Sequence, residues 1–154
     1  VEQGRMSAII TQNVDGLHQR AGSQRVIELH GHIWKLRCTA CGTESLNLET
    51  PLPQLPPHCP CGGMLRPGVV WFGEDLPRAA LEQAWIAAEQ GDLMLVVGTS
   101  SLVYPAAGLP DIARRHGARV VEINPDPTPL SDRADLSLRG TAARILPWLL
   151  RPEG

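Results

Sequence analysis

The chain has 154 residues, 43% of them apolar, with 14 basic against 16 acidic side chains and a net charge of −2. That supports one moderate domain, or a domain with a small insert. The charge balance argues against nucleic acid as a main partner, and the longest strongly apolar run, Leu93-Met94-Leu95-Val96-Val97, is far too short to cross a bilayer.

Val1-Glu2-Gln3-Gly4-Arg5 reads as the tail of a helix, with no charged segment leading into an apolar core. The expectation is a fragment of a cytoplasmic protein. Ser7 to Thr11 reads as a short buried strand that runs straight into Gln12, Asn13 and Asp15. Asp15-Gly16 is a turn signal, so these polar groups sit where a strand stops and the chain reverses. Val14 to Arg20 reads as a loop with one helical turn, and Arg25 to Leu29 as a second strand that delivers His30 ahead of Gly31. Hydrogen-bonding groups at two strand ends, a histidine among them, suit a polar small molecule held in an α/β crevice. Gln, Asn and Asp beside glycine are also ordinary turn formers, and a lone histidine at a strand end is more often structural.

Ile33-Trp34-Lys35-Leu36-Arg37-Cys38 alternates with period two, which predicts a half-buried strand. Pro51, Pro53, Pro56, Pro57 and Pro60 then exclude regular structure over residues 49–60. All four cysteines lie in this region: Cys38-x-x-Cys41, seventeen intervening residues, then Cys59-Pro60-Cys61. Clustered cysteines without a secretory pattern point to metal rather than disulfides. Two knuckles offering two sulfurs each are the donor set of a structural zinc, and four thiolates leave no open coordination position for chemistry. Gly42 and Gly62 follow the second cysteine of each pair, where the backbone must curl back. The alternatives are reduced thiols in a loop or a redox pair, or His58 replacing a strained sulfur. Residues 35–67 thus read as a small zinc-binding insert needing its own staple, within a main domain of residues 1–34 and 68–154.

Val69-Val70-Trp71-Phe72 reads as a strand whose aromatic side chains, on pattern alone, belong to the core. Pro77 to about Gln90 follows helical spacing through Leu81, Ala84, Trp85 and Ala88, with Gly91 as its stop. Asp92 to Val97 reads as a strand buried on both faces. Pro105 to His116 predicts a helix that Pro110 kinks or delays. Ala118 to Ile123 is the next strand, which completes a βαβ unit and implies parallel pairing. A strand from Asp135 to Leu138 and a helix from about Thr141 to Leu150 follow. The fold class is therefore α/β, a Rossmann-like parallel sheet with helices on both faces plus the inserted metal module. Gly98-Thr99-Ser100-Ser101 and Asn124 sit at carboxyl ends of strands, where open α/β sheets bind ligands. Each is also an ordinary loop or turn sequence. No Gly-x-Gly-x-x-Gly, P-loop or His-Glu-x-x-His occurs, which removes support for ordinary dehydrogenases, P-loop nucleotidases and zinc peptidases.

Thr11-Gln12-Asn13-Val14-Asp15-Gly16-Leu17-His18 followed by Glu28-Leu29-His30-Gly31 resembles the signature of the sirtuins, the NAD-dependent protein acyl-lysine deacylases. Gly98-Thr99-Ser100, Ile123-Asn124 and Gly140-Thr141-Ala142 resemble that family's NAD-contacting segments, in its order. Leu65-Arg66-Pro67 leading to Val70-Trp71-Phe72-Gly73-Glu74 resembles its acyl-lysine substrate strand, which a peptide joins by main-chain pairing with the loop containing Ser101 to Tyr104. Sirtuins also carry a four-cysteine zinc module, usually with Cys-x-x-Cys in both halves, and Cys59-Pro60-Cys61 departs from that pattern.

The resemblance implies that NAD is consumed as cosubstrate and one structural Zn2+ is held by Cys38, Cys41, Cys59 and Cys61. It implies His30 as general base acting through the ribose hydroxyls, Gln12 holding the ribose, Asn13 positioning water and ribose, and Asp15 meeting the nicotinamide carboxamide. His18 and His32 compete for the base, His18 as a loop histidine and His32 as a residue capping the joint with the insert. Substrates would be acylated lysines on proteins or peptides, carrying acetyl or succinyl- and malonyl-type groups, and products nicotinamide, lysine and O-acyl-ADP-ribose. A monomer is expected, with neither nucleic acid nor membrane as partner. The family's N-terminal strand, its Gly-Ala-Gly phosphate loop and the Tyr and Arg that select acidic acyl groups have no counterpart here. Two rivals follow: a non-catalytic fragment that binds NAD or an acyl-lysine peptide, and a zinc-ribbon module that binds nucleic acid. Lys35 and Arg37 are the only basic residues near the knuckles, which disfavours the second.

Overall fold

The computed structural model describes residues 8–150. The helix tail read at Val1–Arg5 and the start of the first strand at Ser7 lie outside the described residues. The chain divides into two compact units, Val1–Gln83 and Ala84–Gly154.

In the first unit, β1 (Ile9–Thr11) pairs in parallel with β2 (Val26–Glu28), Ile10 lying opposite Ile27. Parallel neighbours need a crossover of about a dozen residues or more. Residues 12–25 supply it, with one short helix, α1 (Leu17–Arg20), as read from sequence. Leu29, just past β2, has no exposed surface.

The period-two stretch becomes β3 (Gly31–Cys38), the centre of an antiparallel sheet ordered β4-β3-β5, with β4 at Glu44–Leu46 and β5 at Leu65–Val69. Leu36 and Cys38 turn inward, while Ile33 faces outward at 50% exposure. A register shift between His32 and Leu36 interrupts the β3–β5 ladder. Such a bulge re-aims side chains locally, here next to the candidate site. The sequence pattern did not predict β4, because Glu44-Ser45-Leu46 is wholly exposed and has no apolar face to register as periodicity. The proline-rich stretch is irregular as expected, with one isolated bridge between His58 and Met64.

The strand expected at Val69–Phe72 lies earlier. β5 ends at Val69 because antiparallel pairing with β3 runs from Cys38 opposite Leu65 to Gly31 opposite Val69. Beyond it the chain turns, with Gly73 at φ 88 and the Glu74 N–H donating to the Trp71 carbonyl at 3.0 Å. Trp71 and Phe72 are not core residues: they are 56% and 100% exposed.

Helix α2 (Arg78–Gln90) matches its predicted span, with Ala84 and Ala88 buried. The second unit is a parallel sheet ordered β6-β7-β8, made of Leu93–Val97, Arg119–Asn124 and Leu136–Arg139. Helix α3 (Leu109–Arg115) packs on β6 and β7, and α4 (Ala142–Leu149) packs on β7. Pro110 delays the helix rather than kinking it. Residues 106–108 form a 3-10 turn, and Pro110 falls in the first α turn, where its missing N–H costs nothing. Gly117 at φ 92 closes α3, with the Ala118 N–H reaching back to the Ala113 carbonyl at 3.0 Å.

β6 is not the doubly buried strand its apolar run implied. Among the described residues it stands at one end of its three-stranded sheet, with Leu93 56% exposed and Val96 its one buried residue. The central strand β7 takes that role, with Val120, Glu122 and Ile123 buried. No helix among the described residues is long and apolar enough to cross a membrane.

Candidate active site and metal centre

The strand ends of the first unit are laced together by backbone bonds. The Leu29 N–H donates to the Thr11 carbonyl at 3.0 Å, and the Ile33 N–H to the Val14 carbonyl at 2.8 Å. The Trp34 indole N–H donates to the Asp15 carbonyl at 3.3 Å, and Thr11 Oγ1 accepts from the Asn13 N–H at 3.1 Å. The loop carrying Gln12, Asn13 and Asp15 is thereby fixed beside the turn carrying His30. Asp15 has a local task as well, since Oδ1 accepts the Leu17 N–H at 3.0 Å and starts α1. Asn13 is exposed.

The two central histidines are held in opposite senses. His30 Nδ1 lies 3.0 Å from the Gln12 carbonyl oxygen. A carbonyl only accepts, so Nδ1 carries the proton and the Nε2 lone pair of the neutral ring is left to receive one. In His32, Nδ1 accepts the Trp34 N–H at 3.1 Å, and Nε2 faces Glu28 Oε1 at 3.5 Å. The Nδ1 lone pair is therefore occupied, and Nε2 carries the proton within ion-pair distance of a carboxylate. His32 thus has the wrong tautomer for a base. His18 lies half-buried on α1.

Gly31, at φ 76, lets the chain pass where a Cβ would collide with the Gly68 carbonyl oxygen. The Val70 N–H then donates to the His30 carbonyl at 2.9 Å. His30 is thus tied to the residue that opens the Val70–Glu74 segment. That segment is locked by charge: Arg66 Nη2 lies 2.8 Å from Glu74 Oε1, and Glu74 Oε2 accepts the Trp71 N–H at 3.1 Å. The Arg66 guanidinium also stacks 4.9 Å over the Trp71 ring. Its hydrogen bond, then that of the Trp71 N–H, holds the Glu74 carboxyl below the usual carboxylate range.

The four cysteines converge. All four sulfurs lie within 4.8 Å of one another, with Cys38–Cys61 at 3.5 Å and Cys41–Cys59 at 3.8 Å. Four thiolates at zinc bond lengths of about 2.3 Å would stand roughly 3.8 Å apart in a tetrahedron. The donor set therefore fits a structural zinc, despite the shortened second knuckle. The distances are far too long for disulfides, and the cysteines are free. Packed this closely, the thiols ionise unequally. Thr43 hydroxyl and backbone bonds bring Cys41 down to about 6. At Cys59 the Cys61 N–H favours the thiolate, but the neighbouring sulfurs and burial outweigh it and push the thiol up to about 12. His58 is exposed and is not among the four clustered ligands.

In the second unit, the predicted loop residues gather at the carboxyl ends of the parallel strands. Asn124 Nδ2 donates to the Thr99 carbonyl at 2.8 Å, while its Oδ1 accepts the Asp126 N–H at 3.2 Å. The Gly98 N–H donates to the Ile123 carbonyl at 2.9 Å, and the Gly140 N–H to the Asn124 carbonyl at 3.3 Å. Gly98, Thr99, Ser100, Asn124, Gly140, Thr141 and Ala142 thus share one rim. Ser101 marks its strained point: its φ is 55, and its buried Oγ has no hydrogen-bond partner. Non-glycine residues at positive φ and orphaned buried hydroxyls concentrate at ligand sites. Open space lies where a Cβ on Gly98 would stand. The rim fits a polar ligand approaching the backbone.

A lone acid in the apolar run Val120-Val121-Glu122-Ile123 braces this rim from within. Glu122, 1% exposed, accepts from the hydroxyls of Thr128, Ser131 (2.7 Å) and Ser137 (3.1 Å) and from Arg139 (3.0 Å). Arg139 also donates to the Asp126 carbonyl at 3.0 Å. Burial opposes the charge, but these donors outweigh it and hold the carboxyl below its ordinary value. The sequence signal for Glu122 was a charge inside a strand that should be buried.

The Sir2 family model matches residues 1–105. The chain belongs to the Sir2 family. Among the relatives of this Sir2-family chain is the "NAD-dependent protein deacylase" of Aquifex aeolicus strain VF5, 57% identical over 136 residues that cover 88% of this chain and 57% of that protein. A solved "Sir2 homolog-NAD complex" superposes with a TM-score of 0.92 at 48% identity, covering 96% of this chain and 58% of that one. "Sir2Tm bound to a propionylated peptide" superposes with a TM-score of 0.87 at 39% identity, covering 97% of this chain and 65% of that one. The chain thus spans less than two thirds of the length of each. The resemblance carried by Thr11–His18 and Glu28–Gly31 is borne out at the level of family, as is the α/β fold with its four-cysteine cluster.

Proposed function

We propose that this Sir2-family chain takes part in NAD-dependent removal of acyl groups from protein lysines, with nicotinamide and O-acyl-ADP-ribose as products. The observation that carries it is His30, whose Nδ1 is committed to the Gln12 carbonyl and whose Nε2 is left to accept a proton. His30 is the general base, Gln12 and Asn13 hold the ribose and water, and Asp15 meets the carboxamide. Gly98, Thr99, Ser100, Asn124, Gly140, Thr141 and Ala142 contact the cofactor. NAD, when bound, supplies the electrophilic ribose carbon that receives the acyl group. Val70, Trp71, Phe72, Gly73 and Glu74 hold the acyl-lysine peptide, and the full exposure of Phe72 supports that assignment. Residues 35–67 form the zinc module, with Cys38, Cys41, Cys59 and Cys61 as ligands, inserted into a main domain of residues 1–34 and 68–154. The protein acts as a cytoplasmic monomer on acylated proteins or peptides, without nucleic acid or membrane as partner.

The test is calorimetric titration of NAD into the 154-residue chain and an N-terminally extended form, followed by mass spectrometry of an acetyl-lysine peptide incubated with each. Transfer of the acetyl group to ADP-ribose by the extended form is expected. NAD binding without turnover by either form would favour a binding-only protein, and binding by neither would end the proposal.

A further inference from the structure

The loop that carries Asn13 and Asp15 rests on a histidine that the proposed chemistry does not use. The His32 ring lies so close to Gly16 that a Cβ there would stand 2.7 Å from Nε2. Both ring nitrogens are engaged, Nδ1 by the Trp34 N–H at 3.1 Å and Nε2 opposite Glu28 Oε1 at 3.5 Å. Only 13% of the His32 side chain and 16% of the Glu28 side chain is exposed. Glu28 is held in turn by Gln19 on α1 at 2.6 Å and by Lys35 on β3 at 3.5 Å. The ring is therefore a wedge between β2, β3 and the loop, and it cannot rotate without giving up a hydrogen bond. The same strand grips the loop twice more, through Ile33 to Val14 and Trp34 to Asp15.

We propose that His32 is a positioning residue: braced by Glu28 and Trp34, it sets the height of the Asn13–Gly16 loop and so selects for a ligand bearing a pyridine carboxamide. This rests on the cofactor assignment above. The residue type follows from the geometry. The space needs an acceptor facing Trp34, a donor facing Glu28 and a flat, rigid body against a glycine, and neutral imidazole supplies all three. Removing the ring takes away the support beneath Gly16 and leaves the loop held to β3 by the Ile33 and Trp34 bonds alone, so that it shifts about them and carries the Asp15 side chain with it. Contacts to the part of the dinucleotide beyond the loop are untouched, so the effect separates by ligand.

The experiment compares NAD and ADP-ribose affinities by calorimetry, without acyl substrate, in the full-length protein and in H32A and H32N. ADP-ribose lacks the nicotinamide end. For H32A, NAD affinity is expected to fall about tenfold, the equivalent of roughly 1.4 kcal/mol, with ADP-ribose affinity changed less than about twofold. H32N keeps an acceptor for the Trp34 N–H but loses the wedge and the reach to Glu28. Its NAD affinity is expected to lie between those of wild type and H32A, and it serves the same comparison if H32A does not fold. Equal loss of both ligands, as from general loosening, or no loss of NAD affinity, would overturn the inference alone. A wild-type protein that binds neither ligand would overturn the cofactor assignment and this inference together.

Discussion

His30 Nδ1 and the Gln12 carbonyl oxygen lie 3.0 Å apart, although eighteen positions separate the two residues in the chain. This one contact sets the tautomer of the imidazole and leaves Nε2 as its acceptor. Replacing His30 by Ala should lower deacylation in the full-length protein by about 10²- to 10⁴-fold, the usual contribution of a positioned base. Far-ultraviolet dichroism and zinc content should stay at wild-type values. Near-normal turnover by H30A, read by mass spectrometry, would assign the base elsewhere.

Gly31 is constrained twice, by φ 76 and by the Gly68 carbonyl oxygen. A left-handed conformation alone costs a non-glycine residue about 1–2 kcal/mol, and the collision with backbone adds to it. Gly31→Ala should therefore destabilise by more than about 2 kcal/mol, while Gly22→Ala, where nothing lies within 4 Å, should pay only for its positive φ. Urea denaturation of the two variants makes the comparison, and equal midpoints would refute it.

The zinc assignment predicts a pH-dependent affinity. Cys59 holds its proton up to about 12 while Cys41 releases its own near 6. Binding four thiolates must therefore expel protons from the cluster at neutral pH. Zinc titration should release protons detectable in buffers of differing ionisation enthalpy, and affinity should weaken as pH falls from 8 to 6. Chelation should also expose the amides of β3 and β5 to exchange. A stoichiometry well below one zinc per chain would count against the assignment.

Glu122 gives a separate acid response. Its folded-state pKa is depressed, so its stabilising contribution is fully present above the unfolded carboxylate value of about 4.3 and is lost as pH falls through the folded value. Glu122→Gln should lower stability at neutral pH and flatten the acid limb of the stability curve. Thermal melts of both proteins from pH 7 to pH 3 test this. Parallel curves would show that another carboxylate carries the acid response.

The Arg66–Glu74 clamp holds the turn that presents Phe72. Arg66→Ala removes both the ion pair and the stacking on Trp71, and should shift Trp71 fluorescence and raise KM for an acyl-lysine peptide severalfold. The KM for NAD should change little. A fall in kcat with both KM values unchanged would argue that the clamp does not position substrate.

Contiguous stretches determined much of this protein without help from the fold. Thr11–His18 with Glu28–Gly31 identified the family, the cysteine spacing identified the metal module, helical spacing located α2, and short apolar runs located β6 and β7. These signals are local: a helix face, a knuckle or a turn is encoded within a few neighbouring residues. The tertiary structure alone decided which histidine keeps a free lone pair, because His30 and His32 differ in partners that chain proximity does not reveal. It alone turned Trp71 and Phe72 outward and gave β7 the fully buried side chains, since burial depends on which elements pair. It also showed why Glu122 is tolerated in an apolar strand, where donors from residues six to seventeen positions further along the chain satisfy its carboxylate. Composition and spacing specify which groups are present, but the hydrogen-bond partners that set their chemistry are brought together only by folding.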